Sequence, residues 1–598
     1  MKTENIRKAA YLSALLFILI AARLWHLQIL KGGENRMLSE ENRLRIIKVA
    51  APRGIIFDRK GIPLVKNSPY YSVSLLPEMK DNARLRELSD FLGITPEEIT
   101  DKIKNTKSAF EPIRLKENLT FDEVAYIEAR LSDYPGLIID VDLSRQYLYG
   151  EVGAHLIGYI GKLTRSQASH PDFGDVPREG FTGQWGIERL YDKTLRGTPG
   201  ERVIEVDALG REIGLLEEKK SIKGQDLALS IDIDLQAEAE KGFGERVGAL
   251  VAVSPKTGEI LGLVSKPSFD PNLFAKGISP EAWLALSSDP KNPMLNRAFQ
   301  SQYPPGSTFK IITAIAALET GSIEPGTTVT CTGSYSAGSR SFGCWRKGGH
   351  GAISLHRAIV ESCDVFFYIA GSRTGIDGIA RYARELGLGS PSGLDLVKER
   401  TGLIPDTEWK LRQRKDKWYL GETFNSSIGQ GYVSVTPFQM ARLTAEVANG
   451  GYIINPVLLK ASSPVRPGIK IDIGENTLSE VKDALRGVVN EPGGTGGASR
   501  SSVAVVSGKT GTAQVVSQQR GRRGGSFGDH AWFVAYAPSE DPEIAVSVFV
   551  EHGGHGGSAA APIAKRAIEA FLSKGHEGDK GPGAAVTGQP DGEENEMD

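Results

Sequence analysis

The hydrophobic pattern opens with an apolar run from Ala9 to Leu30 that only Ser13, Arg23, His26 and Gln28 interrupt. Coiled as a helix, this run can cross the ~30 Å hydrocarbon core of a bilayer. Lys2, Arg7 and Lys8 precede it, so the cation bias predicts residues 1–8 in the cytoplasm and the rest of the chain outside it. A cleavable leader ending at Ala21-Ala22 is the competing reading. The apolar character resumes past Arg23 with Leu24, Trp25, Leu27, Ile29 and Leu30, which favours an uncleaved transmembrane helix at 9–30. Arg23 then either snorkels to the interface or faces a partner helix.

From 31 to 225 the pattern is mixed and charged, with helical stretches at Leu85 to Leu92 and Asp122 to Leu131. The runs Pro52 to Arg59, Gly153 to Tyr159 and Gly183 to Glu188 set charged residues beside glycines, which predicts turns and buried polar pairing. His155, alone among small apolar residues, reads as a core histidine. The texture changes at about residue 226. Leu227 to Asp232 predicts a strand, Leu235 to Gly242 a helix, and Ala249 to Val253 with Ile260 to Val264 a hairpin. Late strands are predicted at Val503 to Val506, Ala531 to Ala535 and Ile544 to Val550, then a helix at Ala561 to Leu572. Strands bracketing a helical middle predict an antiparallel sheet covered by helices over 226–574. The last segment, 575–598, carries seven acidic residues against one lysine and reads as a disordered tail.

Composition narrows the classes. With 598 residues, 40% hydrophobic and 24% charged, the chain is globular and of several domains. Lys plus Arg number 71 against 73 acidic residues, which argues against nucleic-acid binding. Three cysteines, Cys331, Cys344 and Cys363, are too few for a disulfide scaffold.

Candidate chemistry begins where the Pro/Gly turn Tyr303-Pro304-Pro305-Gly306 runs into Ser307-Thr308-Phe309-Lys310 and the apolar stretch Ile311 to Leu318. Ser307 falls at the predicted helix N-terminus and Lys310, three residues on, shares its face. A hydroxyl beside an amine, near free backbone N–H groups, suits a nucleophile with an oxyanion hole. The bare patterns are weak, since Ser-x-x-Lys recurs at Ser288 and Ser479 and Lys-Thr-Gly at Lys256. The ordered set Ser307 to Lys310, Ser362-Cys363-Asp364, then Lys509-Thr510-Gly511-Thr512 is specific.

On these motifs residues 1–574 resemble the class B penicillin-binding proteins, and the context Ser362-Cys363-Asp364-Val365-Phe366-Phe367-Tyr368 is most similar to the penicillin-binding protein 2 branch. The resemblance implies an α+β chain: a transmembrane helix, an elongated pedestal of the dimerisation type at 31–225, and a serine β-lactamase-like transpeptidase domain. It implies a serine-type D-Ala-D-Ala transpeptidase/carboxypeptidase that cross-links peptidoglycan stem peptides in elongation and is inhibited by β-lactams. Ser307 would be the nucleophile, Lys310 the general base and Ser362 a proton relay. Lys509, Thr510 and Thr512 would hold the substrate carboxylate beside Gly511, and the Ser307 and Thr512 N–H groups the oxyanion. A neutral Lys310 is favoured by desolvation and by Lys509; an ion pair to Asp364, where many relatives have asparagine, opposes it. No carboxylate constellation in the pedestal suits a glycosyltransferase, so the resemblance implies a RodA-type polymerase partner within an elongation complex, at the inner (cytoplasmic) membrane with the catalytic domain periplasmic.

Cys331, Cys344, His350 and Cys363 are four soft or borderline donors within 33 residues. They suit tetrahedral zinc, although no Cys-x2-Cys knuckle is present. A Cys331–Cys344 disulfide with Cys363 as a buried thiol is the alternative. The resemblance implies one structural zinc on these four residues. His552 and His555 form a rival pair whose glycines read better as a loop. Other readings of the whole chain are a septal class B transpeptidase, a D,D-carboxypeptidase using water, or a β-lactam sensor or scaffold. A sensor needs an effector domain where only eight residues precede the apolar run, and a degenerate scaffold would have lost a motif serine or lysine.

Overall fold

Which side chains must be covered decides where strands and helices fall. The computed structural model describes residues 2–33, 44–75, 82–105, 113–133, 137–176, 180–206, 212–275, 277–460, 468–514 and 528–575. The helix α1 (Lys2–Trp25) continues into the π-helical turn His26–Leu30. Glu4–Leu30 is long and apolar enough to cross a membrane, and none of its apolar window is buried against the rest of the chain. The tail expected to be disordered lies, from residue 576 onward, outside the described residues.

The pedestal carries two larger sheets. Strand β1 (Leu44–Val49) belongs to the first; β2 (Ile56–Phe57), β3 (Pro63–Leu75), β4 (Ile113–Leu119) and β5 (Leu137–Tyr147) form the second around the long β3. Farther on, β6 (Gly200–Val206) pairs antiparallel with β1 and with β7 (Glu212–Lys219). The predicted helices appear as Asn82–Leu92 and Phe121–Ala129, the latter started by a Thr120/Glu123 capping box. Leu88, Leu92, Val124 and Ile127 cover Val73, Leu75 and Leu115 of the sheet.

The predicted polar pairing is present. Arg53 donates to Glu188 Oε2 at 2.7 Å and to Asp192 Oδ1 at 2.8 Å, and Arg145 donates to Glu188 Oε1 at 2.7 Å. All four are buried. Each carboxylate answers a guanidinium, which is what makes buried charge tolerable. His155 is a core residue, edge-on to Phe269. Its burial holds the imidazole down at about 4.

The short strand β8 (Leu227–Ala228) pairs parallel with β2, so the second sheet reaches across the domain junction. The predicted strand stops there, because Asp232 turns away to cap α2 (Ile233–Phe243) through its side chain. Then come β9 (Gly248–Val253) and β10 (Ile260–Lys266), the expected hairpin. The middle of the chain supplies α3 (Lys310–Glu319), the antiparallel pair β11 (Thr328–Cys331) and β12 (Gly351–Ser354), α4 (Asp364–Glu385), α5 (Pro437–Ala448) and α6 (Glu475–Asn490). Three strands close the sheet, β13 (Ser507–Ala513), β14 (His530–Ala537) and β15 (Ile544–Val550), before α7 (Ala561–Gly575).

The sheet order is β10-β9-β15-β14-β13, with every pair antiparallel. Leu250, Ala252, Val546 and Val548 on one face meet Leu235, Ala239 and Phe243 of α2 and Ile563, Ala567 and Ile568 of α7. Ala249, Val251, Ala545 and Phe549 on the other belong to the core that holds Phe438 and Ala441 of α5. Both faces are covered, which is why these strands read as unbroken apolar runs rather than alternating ones. One expectation is corrected: Val503 to Val506 is not a strand, and Val503 and Val505 are exposed. The strand begins at Ser507, in a segment of Ser, Gly and Thr whose propensity hides it but which the packing of α6 and β14 buries.

Candidate active site

Ser307 lies in the 3₁₀ turn Gly306–Phe309 that feeds α3. Gly306 has φ +54°, and a Cβ there would sit 2.5 Å from the Thr512 carbonyl oxygen; one on Gly511 would sit 2.9 Å from the Pro305 carbonyl oxygen. Only glycine lets the turn and β13 approach so closely. The closeness sets the backbone of residues 306–307 against that of 511–512, where both predicted oxyanion donors are found. The turn is held from behind as well: Trp532 Nε1–H donates to the Pro304 carbonyl at 2.9 Å and Gly306 N–H to the Gly429 carbonyl at 2.9 Å.

Lys310 is completely buried. Its Nζ donates to the Ser362 carbonyl at 2.8 Å, to Ser362 Oγ at 3.2 Å and to Asp364 Oδ1 at 2.7 Å. Ser362 takes φ +57°, a left-handed conformation that costs a non-glycine residue roughly 1–2 kcal/mol. Asp364 opens α4, and its Oδ2 accepts the Trp345 backbone N–H at 2.9 Å. Sequence reasoning missed Trp345: it contributes a main-chain group, for which no side-chain motif exists.

Lys509, on β13, is also completely buried, and its Nζ donates to the Thr510 carbonyl at 3.2 Å. Burial first, then the nearby Lys310 charge, holds its ammonium well below the ordinary lysine range. Thr510 Oγ1 pairs with Thr495 Oγ1 at 2.7 Å. The Ser307 side chain is partly exposed, and its hydroxyl makes no hydrogen bond among the described residues. The eight residues singled out for substrate chemistry thus come from two adjoining places, the turn against β13 and the Lys310–Ser362–Asp364 contact.

The four candidate metal ligands come together. One donor atom from each of Cys331, Cys344, His350 and Cys363 lies within 4.8 Å of all the others. Cys344 Sγ and His350 Nδ1 are 3.7 Å apart, and His350 Nε2 is buried without a partner. All three cysteines are free. Contact with Cys363 pushes the Cys344 thiol down, while the same contact and burial raise that of Cys363. Three sulfurs and an imidazole fit a four-coordinate soft or borderline cation. His552 does not join them; its backbone N–H donates to His530 Nδ1 at 3.1 Å.

Comparison with known proteins agrees with this geometry. Residues 248–569 match the penicillin binding protein transpeptidase domain, and residues 48–229 the penicillin-binding protein dimerisation domain. The chain is 36% identical over 577 residues to the peptidoglycan D,D-transpeptidase MrdA of Acinetobacter baumannii, covering 93% of this chain and 85% of that one. A structure of penicillin-binding protein PBP2 with MreC from Helicobacter pylori superposes with a TM-score of 0.79 at 29% identity, over 89% of this chain and 99% of that one. Another, titled as a peptidoglycan synthase complex that coordinates polymerization and crosslinking, gives 0.71 at 32% identity, over 95% and 98%. Motifs, fold and relatives agree, and the chain belongs to the penicillin-binding protein 2 family, the serine-type peptidoglycan D,D-transpeptidases of cell elongation.

Proposed function

We propose that Ser307 attacks the penultimate D-Ala carbonyl of a stem pentapeptide. The terminal D-Ala leaves with a proton, and an amine of a neighbouring stem resolves the acyl-enzyme to form the cross-link. The observation that carries this reading is the meeting of the Ser307 turn with β13 beside two buried amines. Ser362 Oγ, 3.2 Å from Lys310 Nζ, relays a proton between Lys310 and the leaving or attacking amine. The Ser307 and Thr512 N–H groups stabilise the oxyanion. Lys509, Thr510 and Thr512 receive the substrate carboxylate; an incoming anion restores the charge on Lys509 that burial disfavours. The same acyl-enzyme met by water gives carboxypeptidase release as a side reaction.

Cys331, Cys344, His350 and Cys363 would hold one zinc ion, the donor set and the unpartnered Nε2 supporting the assignment. When bound, it supplies a four-ligand cross-link with no open position, hence structural rather than hydrolytic chemistry. Cys363 precedes Asp364, so the cluster fixes the start of α4, where Lys310 is held.

The N-terminal helix anchors the chain in the inner (cytoplasmic) membrane, residues 1–8 inside and the catalytic domain in the periplasm, as Lys2, Arg7 and Lys8 support. The partners we infer are a RodA-type glycosyltransferase, in keeping with the relative solved in a peptidoglycan synthase complex, and a protein like the MreC found with the Helicobacter pylori relative. Depleting the protein tests the elongation role: rounded cells support it, and filaments transfer the activity to septation.

A further inference from the structure

One aromatic cluster beside the nucleophile turn has no part in the acylation chemistry. Residues 429–435 wrap that turn. Gly429 accepts the Gly306 N–H, and Tyr303 and Val435 exchange both backbone hydrogen bonds at 2.9 Å. Tyr432 is three residues from each of these anchors, which keeps its backbone within about 10 Å of the turn that carries Ser307. Its ring centroid lies 5.1 Å from that of Trp409 and 6.3 Å from that of Trp418, and the Arg414 guanidinium lies 5.8 Å from it.

The rings are held in place. Lys410, 2% exposed, donates to both oxygens of Glu422 at 2.6 and 2.7 Å, with its charge 6.0 Å from the Trp418 ring. Trp418 Nε1–H donates to Thr423 Oγ1 at 2.8 Å. Trp409, Trp418 and Tyr432 nevertheless stay partly exposed. Residues 410–417 hold five cations against one acid, Asp416. Arg414 and Lys417 are exposed, and their charged groups form no ion pair among the described residues.

Rigid aromatic faces attract the polarised C–H faces of sugar rings, and unpaired guanidinium groups attract carboxylates. Un-cross-linked peptidoglycan carries both groups on one polymer, and the family's reaction brings it to this turn. We propose that Trp409, Trp418, Tyr432 and Arg414 form a subsite for a peptidoglycan strand, the sugars on the rings and the acidic stem peptides against Arg414. The subsite rests on the transpeptidase reading, and its bonding to the nucleophile turn favours the polymer over a lipid surface.

The test uses the full chain in detergent with Ser307→Ala, so that strands bind without turnover. The probes are un-cross-linked glycan strands bearing stem peptides and the same strands stripped of peptide. Trp409→Ala should weaken binding of both about tenfold. Arg414→Glu should weaken the peptide-bearing strands about tenfold and the stripped strands far less. In chains that keep Ser307, fluorescent β-lactam acylation should stay within about twofold of the parent. Unchanged strand affinity in both variants overturns the subsite. Acylation falling in parallel with strand binding also overturns it, because the rings would then only brace the turn. A parent chain that is not acylated at all would instead defeat the transpeptidase reading.

Discussion

Lys310 Nζ and Asp364 Oδ1 lie 2.7 Å apart with the lysine completely buried, and the other oxygen of the same carboxylate takes the Trp345 N–H. One side chain therefore holds Lys310, the proposed general base, and ties it to the loop that follows Cys344. Removing the carboxylate strands a buried ammonium, a change that costs about 3–5 kcal/mol in comparable sites. Asp364→Ala should lower both the unfolding midpoint and the acylation rate, while Asp364→Asn, whose one carbonyl oxygen can still accept from Lys310 or from the Trp345 N–H but not from both, should lose less of each. Trp345→Pro, which deletes the N–H, should slow acylation at saturating β-lactam; Trp345→Ala, which keeps it, should not. Thermal unfolding and stopped-flow acylation read these effects.

Lys509 has a stability signature of its own. Its amine is a weaker base in the native chain than in the unfolded one, so unfolding takes up a proton. Stability from this residue therefore rises with pH until the ordinary lysine range near 10.5 is reached. Lys509→Met should raise the melting temperature at neutral pH, flatten that rise and abolish acylation. Calorimetry across pH with parallel labelling checks the pair of effects.

His155 makes stability depend on pH on the acid side. Its folded value is about 4 against an unfolded value near 6.5. The unfolded chain binds the proton first as pH falls, so stability drops between about 6.5 and 4 and levels off below. The difference corresponds to about 3 kcal/mol. His155→Gln should remove most of that slope in urea titrations repeated from pH 7 to 4. His530, held at about 4 by burial and by His552, adds a smaller drop of the same sign because it is partly exposed.

At the cysteine cluster, elemental analysis should find about one zinc per chain, lost in Cys363→Ser, and a chelator should lower the melting temperature of the parent but not of the variant. An intact Cys331–Cys344 disulfide in mass spectrometry of the purified chain would contradict the metal assignment.

Local features were legible in the sequence, and long-range ones were not. The apolar N-terminal helix, the Ser307 turn, the hairpin about Ser254 to Glu259 and the strand Ile544–Val550 are written in contiguous residues. The strand Pro63–Leu75 went unseen because KNSPYYS has neither alternation nor high strand propensity; its partners lie up to 82 residues away, as with Val65 and Tyr147. The valines at 503–506 drew a strand that the sheet starts at Ser507, since tertiary burial overrides propensity in β13. The four cysteine and histidine donors could be grouped by spacing. Their link to the Lys310 contact through Cys363, which stands between Ser362 and Asp364, is legible too; the second link, through the backbone N–H of Trp345, is not.

Labelling with a fluorescent β-lactam tests the central claim most directly. The full chain should form a covalent adduct that survives denaturation and maps to Ser307, and Ser307→Ala should lose it while keeping the parent's melting temperature. An adduct that persists in a folded Ser307→Ala chain, or one that maps to another residue, would contradict the assignment of the nucleophile and the mechanism built on it.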